Sequence, residues 1–314
     1  MAQTTKVEGR RRESASGFHF INLYQCCPRK FFLRYGLGWR VKITPEPLVA
    51  GGAFHEGKAT FYLTGNEKKA IREGLGYAEL ARGELDSKET YERILFRTEN
   101  LLHYWIEQIG KQDLIQYKPV MVEKELVVPV GDTGFKMTMR PDAVLEDRYN
   151  KQQYVMETKT SGFSHRVTAE AVYYGDQATA YLWGLRKVTK LKPYAVLPDI
   201  AYWRKEDRNV QNIKFIRSDL VFRDEYQTQL FENSMKQLFQ EVTQKMVAVK
   251  KGYNPDVLFP RNSYYCLSYS HPCEYSMICQ KDCKGMKRVP SGFAKDAKRN
   301  QLGKQVEDII SIQG

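Results

Sequence analysis

The stretch from Arg140 to Lys159 contains residue types that can support hydrolysis at a phosphate. Asp142 is followed further along the stretch by the triplet Glu157-Thr158-Lys159. Two carboxylates can hold Mg²⁺ or Mn²⁺, which lowers the pKa of a water and steadies an attacked phosphoryl group. An ammonium group can orient that water or offset the charge of the phosphate. The common alternative is an exposed ion pair between Glu157 and Lys159, and the triplet alone does not distinguish the two.

The segments around these residues predict a β-hairpin. Residues 136–146 and 152–160 are rich in apolar side chains, and the polar sequence between them offers Asp147 and Asn150 as turn residues. Side chains two positions apart lie on one face of a strand, so Glu157 and Lys159 would share a face. Pairing of the two strands would then bring Asp142 beside them.

Apolar periodicity and capping residues predict the other elements. One helix is expected on each side of Pro28. Another should begin after Gly51-Gly52 and carry His55 in its first turn, and short helices are expected over 64–86. Further elements are a helix over 87–109 capped by Asp86, a strand over 117–130, a helix over about 168–187, a hairpin over 192–219 and a helix over about 219–250. This order predicts an α/β (α+β) fold, a mixed central β-sheet flanked by helices.

The charge balance favours a polyanionic partner. Lys and Arg outnumber Asp and Glu by 49 to 37, which gives a net charge of +12. Residues 281–305 alone carry eight basic and two acidic side chains, for which a solvated tail is the alternative interpretation. The sequence shows no apolar run of membrane-spanning length and no signal-peptide pattern, so we expect an intracellular protein, cytoplasmic or nucleoid-associated, with no membrane partner.

The six cysteines fall in two groups at opposite ends of the chain. Cys26 and Cys27 stand near the start, and the others are Cys266, Cys273, Cys279 and Cys283. In a reducing compartment such clusters indicate a metal site rather than disulfides. Four thiolates suit either an iron–sulfur cluster or Zn²⁺, and the spacing does not choose between them.

Five motifs in a fixed order resemble the RecB-type branch of the PD-(D/E)XK nuclease superfamily, close to CRISPR-associated adaptation nucleases, the AddB nuclease domain and phage exonucleases. They are CPRKFF, GGAFHEG, RPD, ETKTSG and DQATAY, and the late cysteines add a sixth signal, together covering roughly residues 20 to 283. The resemblance implies a restriction-endonuclease-like core with a helical N-terminal region and a C-terminal cysteine segment. Composition and resemblance together predict a flexible basic N-terminus (1–15), one nuclease domain (16–284) with a helical insertion at about 64–110, and a basic tail (285–314).

The resemblance also implies roles for individual residues. His55, Asp142, Glu157 and the backbone carbonyl of Thr158 would ligate Mg²⁺ or Mn²⁺, and Lys159 would be the catalytic lysine. Supporting or DNA-contacting roles would fall to Glu123 (with Glu125 as the alternative), Gln177 and Tyr181.

Two positions depart from the family pattern. Met139 stands where a glycine is usual, and six residues separate Cys266 from Cys273 where the family commonly has two. Cys27 fits the early cysteine of the pattern, and Cys273 and Cys279 keep its five-residue spacing. The resemblance therefore implies a [4Fe-4S] cluster held by Cys27, Cys266, Cys273 and Cys279. Zn²⁺ is the alternative occupant of this site, and Cys283 is the nearest alternative ligand.

The function expected from this resemblance is a metal-dependent DNA exonuclease. It would hydrolyse phosphodiesters at DNA ends, with a preference for single strands, in recombination, repair or phage DNA processing. Alternatives are a nuclease-inactive subunit that binds DNA ends and an accessory protein of spacer acquisition. The sequence contains no Gly-X4-Gly-Lys-Ser/Thr loop, so we expect unwinding to require a helicase or recombination partner.

Overall fold

The computed structural model describes residues 17–162, 164–204, 209–267, 272–281 and 288–296. The N-terminal segment expected over 1–15, Cys283 and most of the tail expected over 285–314 lie outside these residues. Among the residues described, no helix combines the length and the apolar character needed to cross a membrane.

The described residues form eleven α-helices and nine β-strands. The helices are α1 (Phe18–Cys26), α2 (Pro28–Phe31), α3 (Glu46–Thr64), α4 (Glu67–Leu80), α5 (Lys88–Trp105), α6 (Lys111–Gln116), α7 (His165–Tyr174), α8 (Asp176–Val188), α9 (Glu225–Lys250), α10 (Pro255–Leu258) and α11 (Ser276–Cys279). The strands are β1 (Trp39–Val41), β2 (Tyr117–Val122), β3 (Leu126–Pro129), β4 (Lys136–Met139), β5 (Ala143–Asp147), β6 (Gln153–Ser161), β7 (Ala195–Tyr202), β8 (Lys214–Arg217) and β9 (Phe293–Lys295).

Five strands form the central sheet in the order β2-β5-β6-β7-β8. The β6–β7 pair is parallel, whereas β2–β5, β5–β6 and β7–β8 are antiparallel. Helices α3, α7 and α8 all contact strands of this sheet. The predicted fold class, a mixed sheet flanked by helices, is therefore confirmed.

The chain divides into two compact units. The first comprises Ile43–Leu126 and Arg140–Gln229 and contains the five-stranded sheet. The second contains residues 17–42, Val127–Met139 and the described residues from Leu230 onward. The single domain expected over 16–284 stays a prediction. Within the expected insertion at 64–110, α4 and α5 pack on α3.

The core of the first unit lies where α3 and α5 meet the sheet. Phe54, Phe61 and Trp105 pack with Met156 and Leu197 in one buried cluster. Full burial of a large apolar side chain stabilises a fold by about 1.5–3 kcal/mol. This packing fixes α3 on the sheet and so fixes the side chains that α3 carries.

The hairpin predicted around the acidic residues is confirmed by the β5–β6 pair. Oδ1 of Asp147 accepts hydrogen bonds from the N–H groups of Tyr149 (2.8 Å) and Asn150 (3.2 Å), and Oδ1 of Asn150 accepts one from Gln152 (2.8 Å). Both side chains thus shape the turn as their types suggested. The hairpin predicted over 192–219 is also present, as β7 and β8.

Helix α3 corrects the expected start of the His55 helix. The helix begins at Glu46, so His55 lies in its third turn rather than its first. Gly51 and Gly52 are helical, and a Cβ at Gly52 would overlap the ring of Tyr77 on α4, while one at Gly51 would lie 3.2 Å from Oγ1 of Thr160 on β6. The two glycines therefore permit close packing and do not interrupt the helix.

Three other boundaries differ from the prediction. The cap of α5 is Ser87 instead of Asp86, because the Ser87 hydroxyl accepts a hydrogen bond from the N–H of Thr90 (3.1 Å). The helix does not stop at residue 109 but continues through a π-helical turn into α6. The strand predicted over 117–130 is two strands, β2 and β3, which belong to different sheets.

Two expected helices are shorter or interrupted. The helix predicted over 168–187 is two helices separated at Gly175, where a Cβ would collide with the carbonyl of Ala171. The helix predicted from 219 starts at Glu225, because Val221 pairs with Val196 of β7 in an isolated β-bridge.

In the second unit, aromatic rings form much of the core. Phe20 of α1 contacts Phe31 of α2 edge to face, with 4.6 Å between ring centroids, and stacks on Phe239 of α9 at 5.7 Å. Phe259 stacks on Phe31 at 6.2 Å. The break predicted at Pro28 is confirmed, and Cys27 before it has an extended backbone, as residues before proline prefer.

Candidate active site

Asp142 is held against the strand that carries Glu157 and Lys159. It immediately precedes β5, and its Oδ2 accepts a hydrogen bond of 2.6 Å from the backbone N–H of Thr158. The register pairs Ala143 with Met156, so Asp142 lies next to Glu157 across the β5–β6 ladder. The juxtaposition that the hairpin predicted is present.

His55 and Glu123 approach Asp142 from two other elements. The Nδ1 atom of His55 lies 3.1 Å from Oδ1 of Asp142 and 3.8 Å from Oε1 of Glu123. Glu123 follows β2 and has φ of 46°, a left-handed conformation that is uncommon outside glycine. Its backbone N–H donates a hydrogen bond of 3.0 Å to the carbonyl of Asp142, which helps to hold this conformation.

These three side chains fit a divalent cation. Ligand atoms of His55, Glu123 and Asp142 all lie within 4.8 Å of one another, and within the described part of the chain no other such group of three His, Cys, Asp or Glu side chains occurs. Two carboxylates suit hard cations such as Mg²⁺ and Mn²⁺. In addition, Oε2 of Glu157 is buried without a hydrogen-bond partner among the described residues, an arrangement that a nearby cation would relieve.

The charges of this group depend strongly on one another. Burial acts to lower the pKa of His55, but the charges and hydrogen bonds of Asp142 and Glu123 outweigh it and raise that pKa from 6.5 to about 10. Burial acts to raise the pKa of Asp142, yet His55 and the Thr158 N–H bring it below its ordinary value. Burial raises the pKa of Glu157 to about 6 despite the adjacent Lys159. A cation would therefore compete with a proton for His55.

Lys159 is fixed by a chain of polar contacts. Its Nζ forms an ion pair with Oε1 of Glu157 and donates a hydrogen bond of 2.9 Å to Oε1 of Gln177. Nε2 of Gln177 donates to the hydroxyl of Tyr181 (2.9 Å), and that hydroxyl donates to the carbonyl of Arg140 (3.2 Å). Gln177 and Tyr181 lie four residues apart on α8, as predicted, and they order Lys159.

The structure thus places the expected site residues in two adjoining groups. His55, Glu123 and Asp142 form one, and the other contains Glu157, Lys159, Gln177 and Tyr181. The peptide of Thr158 joins the two, because its N–H bonds to Asp142 and its chain neighbours are Glu157 and Lys159. Glu125, the alternative to Glu123, is exposed.

Two site residues were missed by sequence reasoning. Nε of Arg140 lies 2.9 Å from Oε2 of Glu123 and so holds that carboxylate. Lys58 is only 3% exposed, and its Nζ donates a hydrogen bond of 2.7 Å to Oγ1 of Thr158. Arg140 adjoins the Pro-Asp pair, which could have indicated it. Lys58 follows His55 by one helical turn, which indicates the shared helix face but not the burial of Lys58.

The cysteine group lies in the second unit. Cys27 is buried between α1 and α2, and the N–H of Cys273 donates a hydrogen bond of 2.8 Å to the carbonyl of Cys266. Burial raises the pKa of the thiols of Cys273 and Cys279. No three cysteine sulfurs within the described ranges lie inside 4.8 Å of one another. The iron–sulfur assignment stays a prediction.

Arg29 links α2 to the cysteine segment and was also missed by sequence reasoning. This arginine is 4% exposed, and its guanidinium donates hydrogen bonds to the carbonyls of Cys279 (3.1 Å) and Lys281 (2.7 Å) while it pairs with Asp256. Its position inside the CPRKFF motif is the signal that could have indicated it.

Comparisons with known proteins identify a family and include a solved structure of low similarity. A family model described as the PD-(D/E)XK nuclease superfamily matches residues 19–280. No curated protein sequence matches the chain. A solved structure titled "Crystal structure of SSO0001" is 15% identical, with a TM-score of 0.31, and the match covers 77% of this chain and 88% of that one.

Proposed function

The chain belongs to the PD-(D/E)XK nuclease superfamily, and from this premise we propose that it is a metal-dependent deoxyribonuclease that degrades DNA from its ends. Hydrolysis adds water across one P–O bond and leaves a phosphate on one fragment and a hydroxyl on the other. Recombination, repair and phage DNA processing are the settings in which such an activity is needed.

The observation that carries the proposal is the convergence of His55, Glu123 and Asp142 beside the Glu157–Lys159 pair. We assign His55, Asp142, Glu157 and the carbonyl of Thr158 to the cation, with Glu123 close enough to join them. When bound, Mg²⁺ or Mn²⁺ supplies an activated water and neutralises charge on the phosphodiester.

Lys159 has the chemistry to hold the attacking water or a phosphate oxygen. Its ammonium group is fixed on one side by Glu157 and on the other by Gln177, so its donors are directed before substrate arrives. Burial acts to lower the pKa of Lys159, but Glu157 outweighs it and raises that pKa above its ordinary value, which keeps the amine charged. A preorganised cation of this kind stabilises the charge that develops on phosphate.

Two exposed tyrosines support a preference for single strands. Tyr173 and Tyr174, at the end of α7, are 46% and 78% exposed, and their rings contact each other edge to face at 5.0 Å. Tyr174 precedes Gln177 by three residues, so their Cα atoms are at most about 11 Å apart. Gln177 in turn contacts Lys159. Unpaired bases stack on such rings, whereas bases in a duplex are already stacked.

We further propose a [4Fe-4S] cluster held by Cys27, Cys266, Cys273 and Cys279. Its support is the order of the cysteines in the family resemblance, together with the burial of Cys27 and the hydrogen bond of 2.8 Å from the N–H of Cys273 to the carbonyl of Cys266. Four thiolates suit Zn²⁺ as well, which is therefore the alternative occupant.

An inactive subunit that binds DNA ends is the second candidate. Its support is the net charge of +12, which favours DNA binding with or without cleavage. The intact contacts among His55, Asp142, Glu157 and Lys159 favour the enzyme. A role in spacer acquisition, or with a helicase or recombination partner, would add to the nuclease activity without replacing it.

A cleavage time course tests the proposal. End-labelled single-stranded DNA, blunt duplex and closed circular DNA are incubated with Mg²⁺, Mn²⁺ or EDTA, beside the Asp142→Ala variant and matched RNA. We expect linear DNA to shorten from an end only with metal and wild-type protein. Cutting of the closed circle at the same rate would contradict the exonuclease, and DNA binding without cleavage would favour the inactive subunit.

A further inference from the structure

A buried polar network lies beneath the strand that carries Glu157 and Lys159. Lys58 of α3 forms an ion pair with Asp199 of β7, whose side chain is 2% exposed. The other carboxylate oxygen of Asp199 lies 3.4 Å from Nε of Arg217, and the guanidinium of Arg217 pairs with Asp113 through both of its terminal nitrogens. Two cations and two carboxylates balance in charge, which makes their joint burial tolerable.

Lys58 joins this network to the active-site strand. Thr158 and Asp199 are register partners in the parallel β6–β7 pair. Nζ of Lys58 donates to Oγ1 of Thr158 at 2.7 Å and to Oδ2 of Asp199 at 2.5 Å, so one side chain spans both strands. The ammonium also lies 4.6 Å from the ring centroid of Trp105, whose indole N–H donates to the same Asp199 oxygen at 3.1 Å.

The same helix carries His55. Residues 55 and 58 are three apart and so lie on one face of α3. Gly51 belongs to this face too, and its lack of a side chain lets α3 approach Thr160 of β6. His55 of this helix thus contacts Asp142, and one turn later Lys58 binds the hydroxyl of Thr158, the residue whose backbone N–H bonds to Asp142.

We propose that Lys58 is a positioning residue for the metal site, acting through Thr158 to hold α3, and with it His55, at a fixed distance from Asp142. This inference rests on the proposed function, because it assigns to Lys58 the geometry of that same cation site. If Lys58 had a solely structural role in the α3–β6 contact, its substitution would change the stability of the protein without changing the affinity of the folded protein for a cation. The second sphere of a metal site typically changes affinity by about 10- to 100-fold when it is disrupted.

The role of Lys58 is tested by the affinity for Mn²⁺, which does not require cleavage. The affinity is measured by calorimetry on the full chain after divalent cations have been removed. Thr158→Val keeps the shape of the side chain and the backbone N–H but removes the oxygen that Lys58 binds. Its matched control is Thr98→Val, because Thr98 is also buried in the first unit and its hydroxyl has no partner among the described residues. Lys58→Met is the second variant, since it keeps most of the length of the side chain and removes the charge.

We expect Thr158→Val to weaken Mn²⁺ binding about tenfold and Lys58→Met by at least as much, with Thr98→Val within twofold of wild type. Together the two changes should weaken binding by less than the product of their separate effects, because they remove one shared contact. Wild-type affinity in a folded Thr158→Val protein would overturn the assignment even if Lys58→Met failed to fold.

The proposed nuclease function is tested by cleavage, which is a separate result from the Mn²⁺ affinities of the variants. A wild-type protein that binds Mn²⁺ but cuts no nucleic acid would contradict the nuclease, and the binding comparison would still decide the role of Lys58. A wild-type protein that bound no Mn²⁺ would overturn both.

Discussion

The backbone N–H of Thr158 bonds to Oδ2 of Asp142 at 2.6 Å, so the carboxylate is positioned by the strand that bears Glu157 and Lys159. This bond depends on the backbone and persists when the side chain of residue 158 changes. Because the backbone holds Asp142 in place, the first prediction concerns the charge that Asp142 brings to the site.

Asp142→Ala and Lys159→Ala should each abolish cleavage while DNA binding stays largely intact. The first removes a carboxylate from the proposed cation site and the second removes the ammonium proposed to hold the attacking water or a phosphate oxygen, and loss of such groups costs several powers of ten in rate. Single-turnover cleavage and a separate DNA-binding titration measure the two effects. Lys118→Ala is the control for the lysine, because Lys118 is exposed on β2 of the same sheet. Near-normal cleavage by either site variant would refute these roles.

Substitutions of Glu123 and Glu125 provide a matched pair of variants that tests the role of Glu123 in the cation site. Oε1 of Glu123 lies 3.8 Å from His55 and the side chain is 9% exposed, whereas Glu125, two residues later, is exposed. We expect Glu123→Gln to weaken Mn²⁺ binding about 10- to 100-fold and Glu125→Gln to leave it unchanged. Equal affinities for the two variants would show that Glu123 takes no part in binding the cation.

Removal of the exposed tyrosine near the site should affect single strands selectively. Tyr174→Ala should raise the KM for single-stranded DNA by about 5- to 150-fold, because one base–ring stacking contact contributes about 1–3 kcal/mol. Tyr149→Ala is the matched control, since Tyr149 is 82% exposed in the β5–β6 turn, at the other end of the hairpin from Asp142.

An abasic substrate separates stacking from other causes. If Tyr174 stacks on a base, deletion of that base should remove the difference between Tyr174→Ala and wild type. A defect that persists on abasic DNA at every position near the cut would argue against stacking.

The predicted cluster gives a spectroscopic test. Cys27→Ala should lose the visible absorbance of iron–sulfur and reduce solubility together, because the proposed cluster would join the first helices to the cysteine segment through Cys27. Cys26→Ala, the neighbouring change, should keep both. An unchanged visible spectrum in Cys27→Ala would rule out the assignment.

Local sequence signals predicted the parts of the site that neighbouring residues determine. The hairpin that joins Asp142 to Glu157 and Lys159 depends on its own turn residues, Asp147 and Asn150, whose side chains cap the turn. The helical spacing of Gln177 and Tyr181 was sufficient to place both on one face, although Gly175 splits the helix that was expected there.

The features that the sequence did not predict depend on contacts between segments that are distant along the chain. The helix of His55 was expected to start after Gly51-Gly52, but these glycines accommodate Tyr77 and Thr160, which no local pattern reveals. Likewise, the partners of Lys58 lie 100 and 141 residues away along the chain, so its burial could not be inferred from its neighbours. A lysine is rarely buried without such partners.

Asp199→Asn should destabilise the protein in a way that depends on pH. The change leaves Lys58 and Arg217 without the charge that both of them contact, and breaking a buried ion pair costs about 3–5 kcal/mol of unfolding free energy. Burial acts to raise the pKa of Asp199, but Lys58 and Arg217 lower it below its ordinary 3.8. A lowered pKa in the folded state stabilises the protein above pH 3.8, and this stabilisation is lost as the pH falls through the folded-state pKa.

Urea unfolding followed by tryptophan fluorescence measures the difference in unfolding free energy between wild type and Asp199→Asn. The measurement is repeated from pH 7 down to pH 3. We expect the gap between wild type and Asp199→Asn to be full at pH 7 and to narrow below about pH 3.8. Asp219→Asn, an exposed aspartate in the same unit, should stay within about 0.5 kcal/mol of wild type throughout. A gap below about 1 kcal/mol at pH 7 would mean that Arg217 and Lys58 find other partners, and that the network is not what holds α3 to β7.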